Sequence, residues 1–243
     1  MNYNWNLMIF FQPNPLGTGT YLDTLLSGLV VTLETALLAW FIALVTGAVV
    51  GVMRTLPSQR ANWVGFAYVE FFRNIPILVQ LFLWFFVLPE FLPKSAGLWL
   101  KHLPNAPFWT AAIGIGFFMS ARIAVQLQAG ISSLPRGQRQ AATALGLTTV
   151  QGYRYVLLPI AFRIILPPLT SEFLSTIKNT SVAITIGLLE LTGEARSMQE
   201  FSFQVFEAFT AATILYLLVN VVVVIGMRVL ERYVAIPGYV TGK

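Results

Sequence analysis

The sequence predicts an all-α polytopic membrane protein with about five transmembrane helices. Three observations predict it. Of 243 residues, 56% are hydrophobic and only 10% charged, against roughly 25% charged in an average soluble domain. The mean hydropathy is +0.73. Apolar runs of the roughly 20 residues that a bilayer-spanning helix needs recur along the chain. A soluble domain of this length could not cover its surface with so few charges. A soluble enzyme, a DNA-binding domain and a disordered chain are therefore excluded.

The runs define the elements in order within one transmembrane domain covering residues 1–243. Span one covers residues 22–53, of which 35–53 carry no charge. Span two, residues 63–88, holds Glu70 and Arg73 near its start. Span three, 108–130, contains Arg122. Span four, 159–189, is interrupted by Pro167, Pro168, Glu172 and Lys178, and the proline pair is expected to bend or break its helix. Span five covers 208–229. Residues 1–22 hold no charge, so they lack the positive n-region of a signal peptide and read as a short non-cytoplasmic segment.

Five spans put the termini on opposite sides, and basic residues set the direction. Nine of the 15 Lys and Arg fall on one side: Arg54, Arg60, Arg136, Arg139, Arg154, Arg163, Arg228, Arg232 and Lys243. Lys94, Lys101 and Arg196 fall on the other. The N-terminus is expected outside and the C-terminus in the cytoplasm. The net charge of +5 thus reflects topology rather than nucleic-acid binding. With no cysteine and the single His102, the chain offers no thiolate, Fe–S or bis-His metal site. It also lacks a G-x-x-x-x-G-K-[ST] loop for ATP.

The long connection, residues 131–157, carries the clearest local signals. Pro135 suits a first helical turn and Gly146 a C-terminal cap, predicting a short helix over 136–145. Thr148-Thr149-Val150-Gln151 has the form of a capping box, so a second helix should start there and run toward Pro159. Arg136, Arg139, Tyr153 and Arg154 are then available to a partner. An ordered connection of this length is longer than packing requires, and such loops are usually functional.

This segment resembles the EAA loop of permease subunits of bacterial ABC importers: E-A-A, three residues, Gly, nine residues, I-x-L-P. Here the pattern reads Gln140-Ala141-Ala142, Gly146, Val156-Leu157-Leu158-Pro159, with Gln140 in place of the acidic residue. Residues Phe72-Arg73-Asn74-Ile75-Pro76-Ile77-Leu78-Val79-Gln80 resemble the F-R-G-T-P-x-L-V-Q segment of polar amino-acid permeases, and Lys178-Asn179-Thr180-Ser181 their K-[DN]-T-S segment. The similarity is closest to the glutamate/aspartate members of that family. It implies a type I ABC importer permease fold in the bacterial inner membrane, with the N-terminus periplasmic. It also implies a second permease subunit, often a paralogous chain, two ATPase subunits and a periplasmic solute-binding protein. ATP and Mg are used by the ATPase, and no cofactor is bound by this chain. Arg136, Arg139, Gln140, Ala141, Ala142 and Gly146 are implied to couple to the ATPase.

Ionisable residues inside spans cost about 2.5–3.5 kcal/mol each and call for a reason. Glu70 and Arg73, at i and i+3, can pair on one helix face, and Glu34 can snorkel to water. Glu172 and Lys178 are six apart and point about 120° from each other, whereas Glu172 and Asn179 share a face. Arg122, with Gln126 one turn on, has no acidic residue within four positions. It can hold a substrate carboxylate bidentately; the alternative is that it snorkels or satisfies the ends of a broken helix. Lys178, beside Ser175 and Asn179, is the second candidate, the alternative being a pair with a neighbouring helix. Arg122, Gln126, Glu172, Ser175, Lys178 and Asn179 form the candidate substrate set.

The leading expectation is a non-enzymatic transport subunit forming half of a pathway for amino acids, acidic ones first. Another polar amino acid is the alternative, then a non-transport membrane subunit or an intramembrane enzyme. The protease form of that enzyme reading lacks its residues, since Asp23 is the only Asp, His102 the only His, and no G-x-S-x-G occurs.

Overall fold

The computed structural model describes residues 3–15 and 19–234. Among them the regular structure is helical. A 3-10 turn, Leu7–Phe11, precedes α1 (Tyr21–Met53), α2 (Gln59–Asn74), α3 (Ile77–Phe91), α4 (Lys94–Lys101) and α5 (Ala106–Ser132). Next come α6 (Arg136–Ala144), α7 (Thr149–Ile186), α8 (Leu191–Ser202) and α9 (Val205–Val234). Helices α1, α5, α7 and α9 are each long and apolar enough to cross a bilayer, and α2 and α3, bent by 101° at their junction, are apolar enough to count as a fifth span if taken as one. The spans expected at 22–53, 108–130 and 208–229 lie within α1, α5 and α9.

Two spans differ from expectation. Span two is broken: Ile75 is extended (φ −97°, ψ 126°) and Pro76 begins the next helix. A proline disfavours helical backbone in the residue before it. The proline pair of span four has the opposite outcome. Helix runs unbroken through Pro167 and Pro168 and starts as early as Thr149, ten residues before the expected start at Pro159. Buried transmembrane helices tolerate proline because neighbouring groups and local adjustments satisfy the freed carbonyls. At Pro159 the adjustment is visible: Tyr153–Leu157 form a π turn in which the Leu158 N–H donates to Tyr153 O. The widened turn makes room for the ring, which would otherwise meet the carbonyl four residues back. Helix α3 repeats the device, a π turn at Leu83–Val87 followed by Leu88-Pro89.

The chain forms two compact units. The first comprises Met1–Trp40, Pro76–Gly116 and Ser175–Val222. Its core packs Leu25 of α1 with Leu191, Ala195 and Met198 of α8 and Ala208 of α9. Buried Glu190 caps α8, accepting the Gly193 N–H (2.9 Å), and also accepts the Tyr216 hydroxyl (2.7 Å). The Leu191 N–H donates to Thr32 Oγ1 (3.1 Å). Burial, and then the Glu190 charge, raise the Glu194 carboxyl above its ordinary range. The Tyr3 hydroxyl and the Asn6 N–H donate to the two oxygens of buried Glu207, tying the N-terminal segment to α9. That hydrogen bond to a carboxylate pushes the Tyr3 phenol up to about 12.

The second unit comprises Phe41–Ile75, Phe117–Leu174 and Val223–Lys243. Here α1 and α5 pack closely through Gly47 and Gly51. A Cβ on Gly47 would lie 2.8 Å from the Ser120 carbonyl, and one on Gly51 2.9 Å from Leu127 Cβ. This small-residue spacing is a common way to bring membrane helices together. Tyr68 and Ser120 hydroxyls hydrogen bond at 2.6 Å, and the Thr170 hydroxyl donates to Glu231 (2.8 Å). No Glu70–Arg73 ion pair forms within 4.0 Å. Asn74, one turn beyond Glu70, donates to its carboxylate (2.9 Å) instead, and Arg73 is exposed.

Candidate functional site

The segment between α5 and α7 is built by local sequence signals. Pro135 (φ −54°) leads into α6, which ends at Ala144 with Leu145 as its C-cap. Gly146 adopts φ +74°, the left-handed conformation that glycine takes without Cβ strain. The Gly146 N–H donates to Thr143 O (3.0 Å) and the Leu147 N–H to Ala142 O (3.1 Å), the two bonds of a Schellman motif. Thr148 then opens α7 with a full capping box: its hydroxyl accepts the Gln151 N–H (3.3 Å), and Gln151 Oε1 accepts the Thr148 N–H (2.9 Å).

Arg136, Arg139, Gln140, Ala141 and Gly146 are exposed, whereas Ala142 is buried and faces Gly152. Tyr153, expected to be free for a partner, is buried; its hydroxyl donates to Thr55 O (2.7 Å) and so anchors the segment beyond α1. Three exposed apolar side chains, Leu145 (79% exposed), Val150 (75%) and Tyr155, were missed by sequence reasoning. Apolar residues in a polar connection, at positions where helical packing does not need them, were the available signal. Arg136, Arg139 and Arg154 are exposed along the same segment, and the Arg154 guanidinium lies 5.7 Å from the centre of the Tyr155 ring.

The second group lies within the spans. Arg122 on α5 is not unneutralised. Its Nε donates to Glu172 Oε2 at 2.6 Å and its Nη2 to Oε1 at 3.2 Å, a bidentate pair with α7. The carboxylate is only 7% exposed, but the guanidinium side chain is 47% exposed. The unbroken α7 offers no broken helix end for Arg122 to satisfy. Its partner is a buried carboxylate 50 positions away. Gln126, one turn along α5, is half-buried.

Ser175, Lys178 and Asn179 follow Glu172 on α7, before its last residues tighten into a 3-10 turn over Thr180–Ile186. Ser175 and Asn179 are half-buried and engaged in contacts of their own. Lys178 is exposed, and among the described residues it forms no ion pair. No cluster of three or more His, Asp or Glu suited to a metal occurs among the described residues.

The family model described as "Binding-protein-dependent transport system inner membrane component" matches residues 22–236. The chain belongs to this family. It is thus a multi-pass inner-membrane component of a transport system, not an enzyme. This inner-membrane component is 44% identical to the glutamate/aspartate import permease protein GltJ of Escherichia coli (strain K12), over 100% of both chains. It is 34% identical to the probable glutamine ABC transporter permease protein GlnM of Bacillus subtilis (strain 168), covering 83% of this chain and 88% of the relative. Among solved structures, an amino acid ABC transporter crystallised with histidines superposes with TM-score 0.71 at 28% identity. The match covers 88% of this chain and 95% of that one. The inward-facing MetNI methionine ABC transporter superposes with TM-score 0.74, covering 88% and 97%. At 20% identity it shows the shared fold alone.

Proposed function

We propose that this inner-membrane component is the permease subunit of an ATP-driven importer, forming half of the pathway for glutamate and aspartate. The observation that carries this reading is the 44% identity to a glutamate/aspartate import permease over the full length of both chains. The partners are a second, paralogous permease chain, two ATPase subunits that use ATP and Mg, and a periplasmic binding protein. Uptake of labelled amino acids by vesicles holding the full complex tests it. Glutamate and aspartate uptake should be ATP-dependent and exceed glutamine uptake. Preferential glutamine uptake would replace the acidic reading with a neutral one.

Within the pathway, the geometry favours a revised order of cations. Arg122 already holds a carboxylate, whereas Lys178 is exposed and forms no ion pair among the described residues. Lys178, with Ser175 and Asn179, is the first contact for a substrate side-chain carboxylate. Arg122, Gln126 and Glu172 form a second group, where an incoming carboxylate competes with Glu172. A charge-assisted bond contributes about 1.5–3 kcal/mol. Lys178→Gln should therefore lower the apparent affinity for glutamate about tenfold while sparing basal ATP hydrolysis. Unchanged glutamate affinity in an assembled complex removes Lys178 from the site.

The topology consistent with the basic-residue count puts the N-terminus and α8 in the periplasm and α6 in the cytoplasm. The C-terminal end, residues 235–243, and the first two residues lie outside the described residues. A cysteine replacing Ser202 in this cysteine-free chain should react with a membrane-impermeant maleimide added to intact cells freed of their outer membrane. Labelling only after the inner membrane is opened would invert the assignment.

A further inference from the structure

Helices α3, α4 and the start of α5 line a half-open cavity of about 860 Å³, within the roughly 300–1,000 Å³ range of small-molecule sites. Its wall is largely apolar and carries three tryptophans, Trp84, Trp99 and Trp109, with Ile113 further along α5. The two charged side chains on that wall, Glu90 and Lys101, form an ion pair with each other. Both are well exposed, at 66% and 43%. The wall is preformed. Gly97 of α4 presses against α3 so closely that a Cβ there would lie 2.2 Å from the Pro89 carbonyl oxygen. None of these residues belongs to the coupling segment or to the candidate substrate set.

We propose that this cavity binds one membrane glycerophospholipid with a zwitterionic headgroup that carries both an ammonium and a phosphate. Tryptophan rings collect at the level of lipid headgroups, with apolar surface on one side and water on the other. Glu90 and Lys101 line the same cavity as these tryptophans, one charge of each sign. An ammonium group has Glu90 and the tryptophan faces for partners, and the phosphate has Lys101. The acyl chain occupies the apolar remainder. An anionic headgroup would meet Glu90 as a repulsive charge, and a lone hydrocarbon would leave the ion pair without a role. The surface ion pair is worth little by itself, so exchanging it for two headgroup contacts costs little.

The test uses the purified importer with its partner subunits, equilibrated with equal amounts of phosphatidylethanolamine and phosphatidylglycerol of matched acyl chains. After washing in mild detergent, retained lipid is counted by native mass spectrometry. The wild-type complex should keep phosphatidylethanolamine over phosphatidylglycerol by about tenfold. Ile113→Trp and Thr110→Trp, which fill the cavity from two wall positions, should each lower retention about tenfold. The double variant Glu90→Gln/Lys101→Gln should keep lipid but lose the headgroup preference. The proposal is overturned by wild-type retention in either assembled tryptophan variant, or by a preference for phosphatidylglycerol. It is also overturned if the wild-type complex retains no lipid, as expected if a partner subunit covers the cavity. If both tryptophan variants fail to assemble, the wild-type preference and the charge-neutral double variant still decide it.

Discussion

Replacing Gly146 by valine should leave the chain inserted and the importer assembled, with basal ATP hydrolysis intact, while ATP-driven uptake falls at least about tenfold. The reasoning is confined to backbone conformation. Gly146 sits at φ +74°, and a Cβ added there meets nothing within 4 Å. Packing therefore does not resist the substitution. The resistance is the left-handed conformation, which costs about 1–2 kcal/mol for a residue with a Cβ and more for a β-branched one. That cost is enough to undo the Schellman turn that joins α6 to α7. Helix α7 runs on without a break from the capping box at Thr148 to the carboxylate of Glu172. Under the proposed function, a loosened turn separates the segment that meets the ATPase from the helix that carries Glu172. Asparagine tolerates the left-handed conformation, so Gly146→Asn should restore most of the uptake. The check is paired measurement of uptake and ATP hydrolysis in vesicles. Equal uptake in the valine and wild-type complexes would refute a coupling role for the turn.

Arg122→Gln should destabilise the chain by about 3 kcal/mol and reduce the amount of assembled complex. Removing one partner of a buried ion pair strands the other charge, at a typical cost of about 3–5 kcal/mol. The lower end applies because Arg122 is nearly half exposed, so that solvent screens part of the interaction. Glu172, 7% exposed, cannot be hydrated in its place. Adding Glu172→Gln removes the stranded charge, so the double variant should recover assembly and most of the lost melting temperature. If Arg122→Gln instead assembles normally and loses only acidic amino-acid uptake, the arginine serves substrate and its bond to Glu172 is incidental. Thermal melting, read beside uptake, separates the two outcomes.

The coupling segment was legible residue by residue. Pro135, Gly146, Thr148 and Gln151 act through their own backbone and side-chain chemistry over one to four positions. The short helix, the left-handed cap and the capping box therefore appear where the residues place them. The direction of side chains was less legible. Tyr153 turns inward to Thr55, and Leu145 and Val150 turn outward. A polar stretch has no apolar periodicity from which to read a face.

The same division runs through the spans. Hydropathy is a sum over consecutive residues, so the apolar runs within α1, α5 and α9 are legible with no knowledge of neighbours. Proline behaved differently at each site because its effect depends on what surrounds the freed carbonyl. Pro76 ends a helix, Pro159 is accommodated by a π turn, and Pro167 and Pro168 stay within α7. The charges inside the spans depended on packing most of all. Glu70 has a nearby arginine in sequence and bonds Asn74 instead, while Arg122 has no nearby acid and finds one 50 positions away. Coulomb attraction acts through space, and only the packed helices set which charges come within hydrogen-bonding distance. The chain's identity as a membrane transport component was therefore written in its local patterns. Which cation is paired within the chain was set by helix packing.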